Sequence, residues 1–264
     1  MFFDSHCHLT SEQLASQLDA VLDRAQKAQV NRVLNIADDF VSATAASGQA
    51  EIARNRGFKV WSTAGVHPHN ALEYSMDSDN QLRSLLDARS CVAVGEIGLD
   101  GFYDENHPQH PGATREHQQK VFRAQIEIAL ERDLPVVMHN RDAGEDLLQV
   151  VSDYPNLRGV VHCFDSTVEV AHRVLELGFY LGFTGMITFK NAEVVRDVAK
   201  ICPLHRMLIE TDAPYLAPVP WRGKTNEPSF VPRVAETIAM LRGLSVEEIG
   251  TTTTHNAIQL FRLS

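Results

Sequence analysis

The chain has 264 residues, enough for one large α/β domain, and its 44% hydrophobic and 22% charged composition is that of a globular protein rather than a disordered or fibrous one. With 24 Lys and Arg against 34 Asp and Glu, the formal charge of -10 excludes a protein that grips duplex nucleic acid over a broad basic face. No window reaches the roughly 20 apolar residues of a membrane helix, and Met1-Phe2-Phe3-Asp4 lacks a basic start followed by a secretory apolar core. No membrane partner and a cytoplasmic address are therefore expected.

Short β-rich runs alternate with helical patterns along the chain, the signature of βα units and a parallel sheet. Candidate strands end near His6, Ala37, Ala64, Ile97, Met138, His162, Leu181 and Ile209. Between them, apolar residues recur at helical spacing: Leu14, Leu18, Val21, Leu22 and Ala25; Leu82, Leu85 and Leu86; Phe122, Ile126, Ala129 and Leu130; Val168, Ala171 and Leu175; Val234, Ile238 and Leu241. These faces should cover a central barrel. No linker or low-complexity tract interrupts the pattern, so residues 1–264 are expected to form a single domain. The least regular stretches, 98–114 and 213–229, follow candidate strands and read as loops on the C-terminal face, where barrel active sites sit. Cys7, Cys91, Cys163 and Cys202 form no C-x-x-C and are expected to be buried free thiols.

Chemistry concentrates at the strand ends. In a strand alternate side chains share a face, so His6 and His8 can grip one metal ion while Cys7 points elsewhere. His67, Glu96, His139, His162 and Asp212 fall at or just past later strand ends. Singly each is weak evidence, but their recurrence on one rim points to a metal centre. Imidazoles and carboxylates together suit zinc or manganese, and magnesium less well. Two ions fit if Glu96 bridges, roughly 3.5 to 4 Å apart and sharing a water or hydroxide. His6, His8 and Asp212 would take one ion, and His139 and His162 the other. Asp212 is the expected base for the attacking water. Arg141 shares the alternation phase of His139 and can fork onto a phosphate oxygen. His67 can donate to the same phosphate or to the leaving oxygen, while Tyr215, Arg222 and Lys224 lie on the eighth loop, within reach of a substrate. Glu210 is a candidate partner for a ligand, and Asp100 is expected to shape its loop or orient His67. His107, His110 and His117 read as solvated loop residues.

Read together, Asp4-Ser5-His6-Cys7-His8-Leu9, Gly65-Val66-His67-Pro68, Gly95-Glu96-Ile97-Gly98-Leu99-Asp100, Pro135-Val136-Val137-Met138-His139, His162-Cys163-Phe164 and Glu210-Thr211-Asp212-Ala213-Pro214-Tyr215-Leu216 resemble the TatD family of metal-dependent deoxyribonucleases, a branch of the amidohydrolase-like metal hydrolases. The match runs over nearly the whole chain. It implies a distorted (β/α)8 TIM-like barrel with its metal centre at the C-terminal face of the strands. The family's ligands map onto His6, His8, Glu96, His139, His162 and Asp212, and the retained first histidine pair favours two divalent ions. The resemblance further implies hydrolysis of DNA phosphodiesters, typically by a 3′-5′ exonuclease.

A metal-dependent deoxyribonuclease acting on single strands or 3′ ends, as a monomer, is the resulting expectation. Its rivals are hydrolysis of another ester or amide on the same ions (a lactone, a D-aminoacyl-tRNA or a phosphotriester) and a non-catalytic scaffold that keeps metal for stability. Against the scaffold stands the size of the ligand set, since a structural zinc site closes with four ligands.

Overall fold

A computed structural model describes residues 1–263. Eight strands, β1 (Phe2–Cys7), β2 (Val30–Asn35), β3 (Lys59–Ala64), β4 (Cys91–Asp100), β5 (Val136–Arg141), β6 (Gly159–Val161), β7 (Tyr180–Phe183) and β8 (Met207–Ile209), alternate with helices. In chain order these are α1 (Glu12–Ala15), α2 (Leu18–Lys27), α3 (Phe40–Asn55), α4 (Met76–Leu85), α5 (Arg115–Glu131), α6 (Gly144–Val151), α7 (Val168–Glu176), α8 (Glu193–Ile201), α9 (Val231–Arg242) and α10 (Val246–Leu260). Each strand pairs in parallel with the next, giving the sheet order β1 to β8. The architecture is an α/β barrel of the (β/α)8 type.

Closure between β8 and β1 departs from a regular ladder. Cys7 and Ala213 form an isolated parallel bridge, and the Asp212 N–H donates to the His6 carbonyl at 2.9 Å. Lower on the seam, Asp4 accepts from the Thr211 N–H at 2.8 Å and from the Thr211 hydroxyl at 2.6 Å. Burial pushes the Asp4 carboxyl up to about 8 against the lowering effect of those Thr211 bonds. A carboxylic acid buried at a seam thus does part of the work that backbone pairing does elsewhere, which is the distortion of this barrel.

One apolar residue from each strand fills the barrel floor: Phe3, Leu34, Trp61, Ala93, Val137, Val160, Tyr180 and Leu208. Ala257, Leu260 and Phe261, in and just after α10, join the same cluster and seal that end. A second, larger cluster binds the outer strand faces to the helices. With one mouth sealed by apolar packing, the polar residues of the strands are left to gather at the other.

The helical faces bury largely as their spacing predicts, with particular differences. Leu130 is exposed, and α7 buries Val170, Ala171 and Val174 rather than the Val168, Ala171 and Leu175 set. Helices α3, α6, α8 and α10 are not marked by the apolar spacing of the sequence. α3 buries only alanines (Ala43, Ala46, Ala50, Ala53), whose contrast with neighbouring Ser and Thr is too weak to mark a face. β4 runs on to Asp100, so the irregular segment begins at Gly101 rather than at residue 98. There Gly98 takes φ +139°, and a Cβ on it would collide with the His139 carbonyl, so only glycine lets β4 and β5 approach this closely. Cys7, Cys91 and Cys202 are buried free thiols, but Cys163 is only partly covered. Among the described residues no helix is long and apolar enough to cross a membrane.

The loop after β8 is tied down by buried Asn226, whose amide donates to the carbonyls of Thr211 at 2.8 Å and Tyr215 at 2.6 Å and whose oxygen accepts from Glu227 N–H at 3.0 Å. Asn226→Ala strands two carbonyls and one N–H, so urea unfolding should show a loss of roughly 2–4 kcal/mol. A loss under about 0.5 kcal/mol, within the range of an inert surface change, would show that the loop is held by other means.

Candidate metal centre

The residues of the open mouth are aimed by local irregularities of the strands. The register of β1 against β2 shifts between Asp4 and Cys7, and that of β4 against β5 between Val94 and Ile97. Such bulges re-aim a side chain, and here the side chains are His6 and Glu96. His8, His67 and His162 sit just past β1, β3 and β6; His139 lies in β5, and Asp212 follows β8. Cys163 and Asp212 adopt left-handed backbone, φ +45° and +57°, conformations unfavourable for residues with side chains and common at functional sites.

Glu96 is the hub. Its Oε2 stands 3.3 Å from His6 Nε2 and 3.7 Å from His8 Nε2. Its Oε1 is 2.7 Å from His162 Nε2, 2.8 Å from His139 Nδ1 and 3.5 Å from His67 Nε2. Each carboxylate oxygen therefore faces a different histidine set. On the Oε2 side, Asp212 Oδ1 lies 3.5 Å from His6 Nε2 and 3.4 Å from His8 Nε2, and those two nitrogens are 3.2 Å apart. Atoms placed 2.0–2.2 Å from one ion at tetrahedral angles stand about 3.4 Å apart, so this donor set has the spacing a divalent cation needs. The donor chemistry and spacing fit the metal that the sequence implies, and Glu96 belongs to three of the four ligand groups that the fold brings together.

Outer partners set the ring orientations. Asp100 Oδ2 accepts from His139 Nε2 at 3.1 Å, which leaves Nδ1 to face Glu96. His162 Nδ1 is 3.6 Å from Glu210 Oε1, while Glu210 accepts from the Cys163 N–H at 2.6 Å and from the Ser5 hydroxyl at 3.1 Å. Carboxylate partners of this kind fix tautomer and aim in histidine metal sites. His67 is different. Its Nδ1 accepts from the His69 N–H at 3.1 Å, so a neutral ring carries its proton on Nε2 and faces the centre as a donor.

Charges follow the geometry. Burial alone would raise the Glu96 carboxyl, but His162, His67, His6 and His139 hold it well below the usual carboxylate range. Asp212 is likewise lowered, burial being outweighed by His8, His6 and His162. Burial lowers His67 to about 3 and also lowers His6, whereas for His8 burial is overcome by Asp38, Asp212 and Glu96, which raise it to about 9. The carboxylates are ionised, and His6 and His67 are neutral.

The five other residues read as ligands gather around Glu96. Arg141 stands at the end of β5 and makes no ion pair among the described residues; its guanidinium carbon lies 4.1 Å over the Phe102 ring. Tyr215 is exposed, its ring 6.2 Å from that of His8. Arg222 instead packs on Phe189 at 3.9 Å, and exposed Lys224 touches none of the ligands, so these two occupy the outer rim. Asp100 does shape its loop, but it holds His139 and His69 (2.8 Å) rather than His67, whose Nδ1 accepts from the His69 N–H and whose Nε2 faces Glu96. Asp38, 3.3 Å from His8 Nδ1, is a further carboxylate of the mouth, and it directly follows the second predicted strand end, the same signal that marks the others.

A family model described as TatD related DNase matches residues 3–262. The uncharacterized metal-dependent hydrolase YabD of Bacillus subtilis is 39% identical over 266 residues, covering 100% of both chains. The 3'-5' ssDNA/RNA exonuclease TatD of Pantoea ananatis is 37% identical over 268 residues, with 99% of each chain covered. Among solved structures, the Escherichia coli TatD homologue YJJV superposes with a TM-score of 0.90 at 31% identity, over 100% of this chain and 98% of its own.

Asp100→Asn keeps an oxygen for the loop but sets an amide against His139 Nε2, favouring the wrong tautomer. Manganese affinity measured by calorimetric titration should fall roughly 10- to 100-fold. Unchanged affinity with an intact fold would mean that His139 takes no part in holding the ion.

Proposed function

The chain belongs to the family of TatD related DNases and is a metal-dependent hydrolase; on that premise we propose that it removes nucleotides from the 3′ ends of single-stranded DNA at a centre of two divalent ions. The observation that carries the reading is the division of Glu96, one oxygen toward His6 and His8, the other toward His139 and His162. His6, His8 and Asp212 would hold one ion and His139 and His162 the other, with Glu96 shared between the two sets.

Bound divalent ions supply Lewis-acid polarisation of a phosphoryl group and acidify water at neutral pH. The protein supplies position and proton handling. Asp212, kept ionised by its imidazole neighbours, collects the proton of the attacking water. His67 presents Nε2–H toward the centre, where it can hydrogen-bond the leaving 3′ oxygen as negative charge develops there. Arg141, close to His139 on the same strand and free of any carboxylate partner among the described residues, forks onto the phosphate. Tyr215 offers a ring beside His8, and Arg222 and Lys224 meet flanking phosphates at the rim.

The charge of -10 agrees with a strand end held in a confined mouth and argues against tracking along duplex. The name of the Pantoea relative covers RNA as well, so both nucleic acids belong in the test.

With manganese or magnesium, 5′-labelled single-stranded DNA should shorten from its 3′ end. Glu96→Ala should lower kcat/KM roughly 10³-fold or more, and Arg141→Gln roughly 10- to 100-fold. Turnover of a lactone, a phosphotriester or a D-aminoacyl-tRNA with oligonucleotides left intact would replace this reading with the corresponding hydrolysis. Cleavage that survives both Glu96→Ala and chelation would remove the metal mechanism.

A further inference from the structure

The segment after β4 carries four rings, Phe102, Tyr103, His107 and His110, that do no core packing: none joins an apolar cluster, and Phe102 is 42% exposed. They pack on one another instead. Ring centroids are 4.8 Å apart for Phe102–Tyr103, 4.6 Å for Tyr103–His107 and 5.7 Å for the stacked His107–His110 pair. His110 is an exposed loop residue as expected and His107 a partly covered one, whereas His117 lies in α5 with its Nε2 3.0 Å from the Ala71 carbonyl. Inward, the row continues through His69, 4.9 Å from Tyr103, to His139 at 6.1 Å. An aromatic path therefore leads from a residue of the metal centre to the outer surface.

Two features fix this row in place. Asp100 Oδ1 accepts from the N–H groups of Phe102 (2.8 Å) and Tyr103 (2.7 Å), while its other oxygen holds His139 and His69. The carboxylate that aims a candidate ligand also sets the platform beside it. Arg141 lies 4.1 Å over Phe102 and 5.2 Å over Tyr103, so the phosphate-binding guanidinium and the exposed ring form one surface. Alternation of cation and aromatic face is how single-stranded nucleic acid is held without reading its sequence, phosphates on the cations and bases on the rings.

We propose that Phe102, backed by Tyr103 and Arg141, seats a nucleobase of the single-stranded substrate beside the phosphate held by Arg141. The inference rests on the nucleolytic reading above and adds to it a seat for a base directly beside the phosphate that Arg141 binds. A bland role exists, in which Phe102 is merely a shelf for Arg141. The two roles differ in one respect: a shelf serves every phosphate alike, whereas a seat matters only when a base is present.

The test compares an oligothymidylate with matched strands carrying a tetrahydrofuran abasic residue at one of the three 3′-terminal positions, using the full chain and its Phe102→Leu and Phe102→Trp variants. At one position, removal of the base should lower the wild-type kcat/KM roughly 5- to 100-fold. Phe102→Leu should cost a similar factor on the intact strand and less than about twofold on that abasic strand, while Phe102→Trp should retain activity. Equal losses on intact and abasic strands would overturn the seat in favour of the shelf. If no oligonucleotide is cleaved, the nucleolytic reading fails, and fluorescence of 2-aminopurine placed at the same positions, in chelator, decides the seat by itself. Quenching that is lost in Phe102→Leu and kept in Phe102→Trp upholds it; no response at any position ends it.

Discussion

A single buried carboxylate shared among five imidazoles is the constraint around which this molecule is organised. Glu96 lies within 3.7 Å of a ring nitrogen of His6, His8, His67, His139 and His162, with Asp212 opposite. A charge removed from water is costly unless it is paired, and here protons on the rings or cations between them must do the pairing. The barrel earns its stability elsewhere, in the apolar floor and the outer shell, and the open mouth is where that stability is spent on placing unfavourable neighbours together. Removing Glu96 would leave imidazoles with no common partner; removing any one imidazole leaves Glu96 with four.

Around this hub the fold supplies a ring of supports, each tied to a different strand. Asp100 on β4 aims His139 on β5, Glu210 after β8 faces His162 after β6, and Asp38 after β2 faces His8 after β1. Asp4 and Thr211 close the seam directly beneath His6 and Asp212. The supports link different strands, adjacent ones for Asp100, Asp38 and Asp4 and β6 to β8 across β7 for Glu210, so a ligand's aim depends on how the barrel closes. The aromatic row running outward from His69 extends this arrangement to the surface, through the two oxygens of Asp100.

Strand positions were legible because buried parallel strands are short continuous apolar runs: Ile209 ends β8 as read, and Val161 ends β6 one residue before His162. The apolar run of β4 ends at Ile97 because Gly98 and Asp100 break it, although both belong to the strand for geometric reasons that only the approach of β5 reveals. The candidate ligands were legible from the same strands, since alternation and position at a tip predict a shared rim. What alternation cannot supply is distance. Asp100 is legible as a polar residue at a strand end, yet that it meets His139 rather than His67 follows from the pairing of β4 with β5. Arg222 and Lys224 share a basic loop in sequence, but the fold turns one onto Phe189 and leaves the other in solvent. Phe102 and His107 lie in the irregular segment where the sequence puts them, but their packing is not legible there because ring stacking between neighbours leaves no periodic trace.

The central claim is that Glu96 joins two ions, and its most direct measurement is electron paramagnetic resonance of the protein loaded with manganese(II). The account predicts two equivalents bound and a spin-coupled spectrum, replaced in Glu96→Ala by the uncoupled signal of isolated ions. Saturation at one equivalent, or two equivalents with no coupling in the unmodified chain, would contradict it.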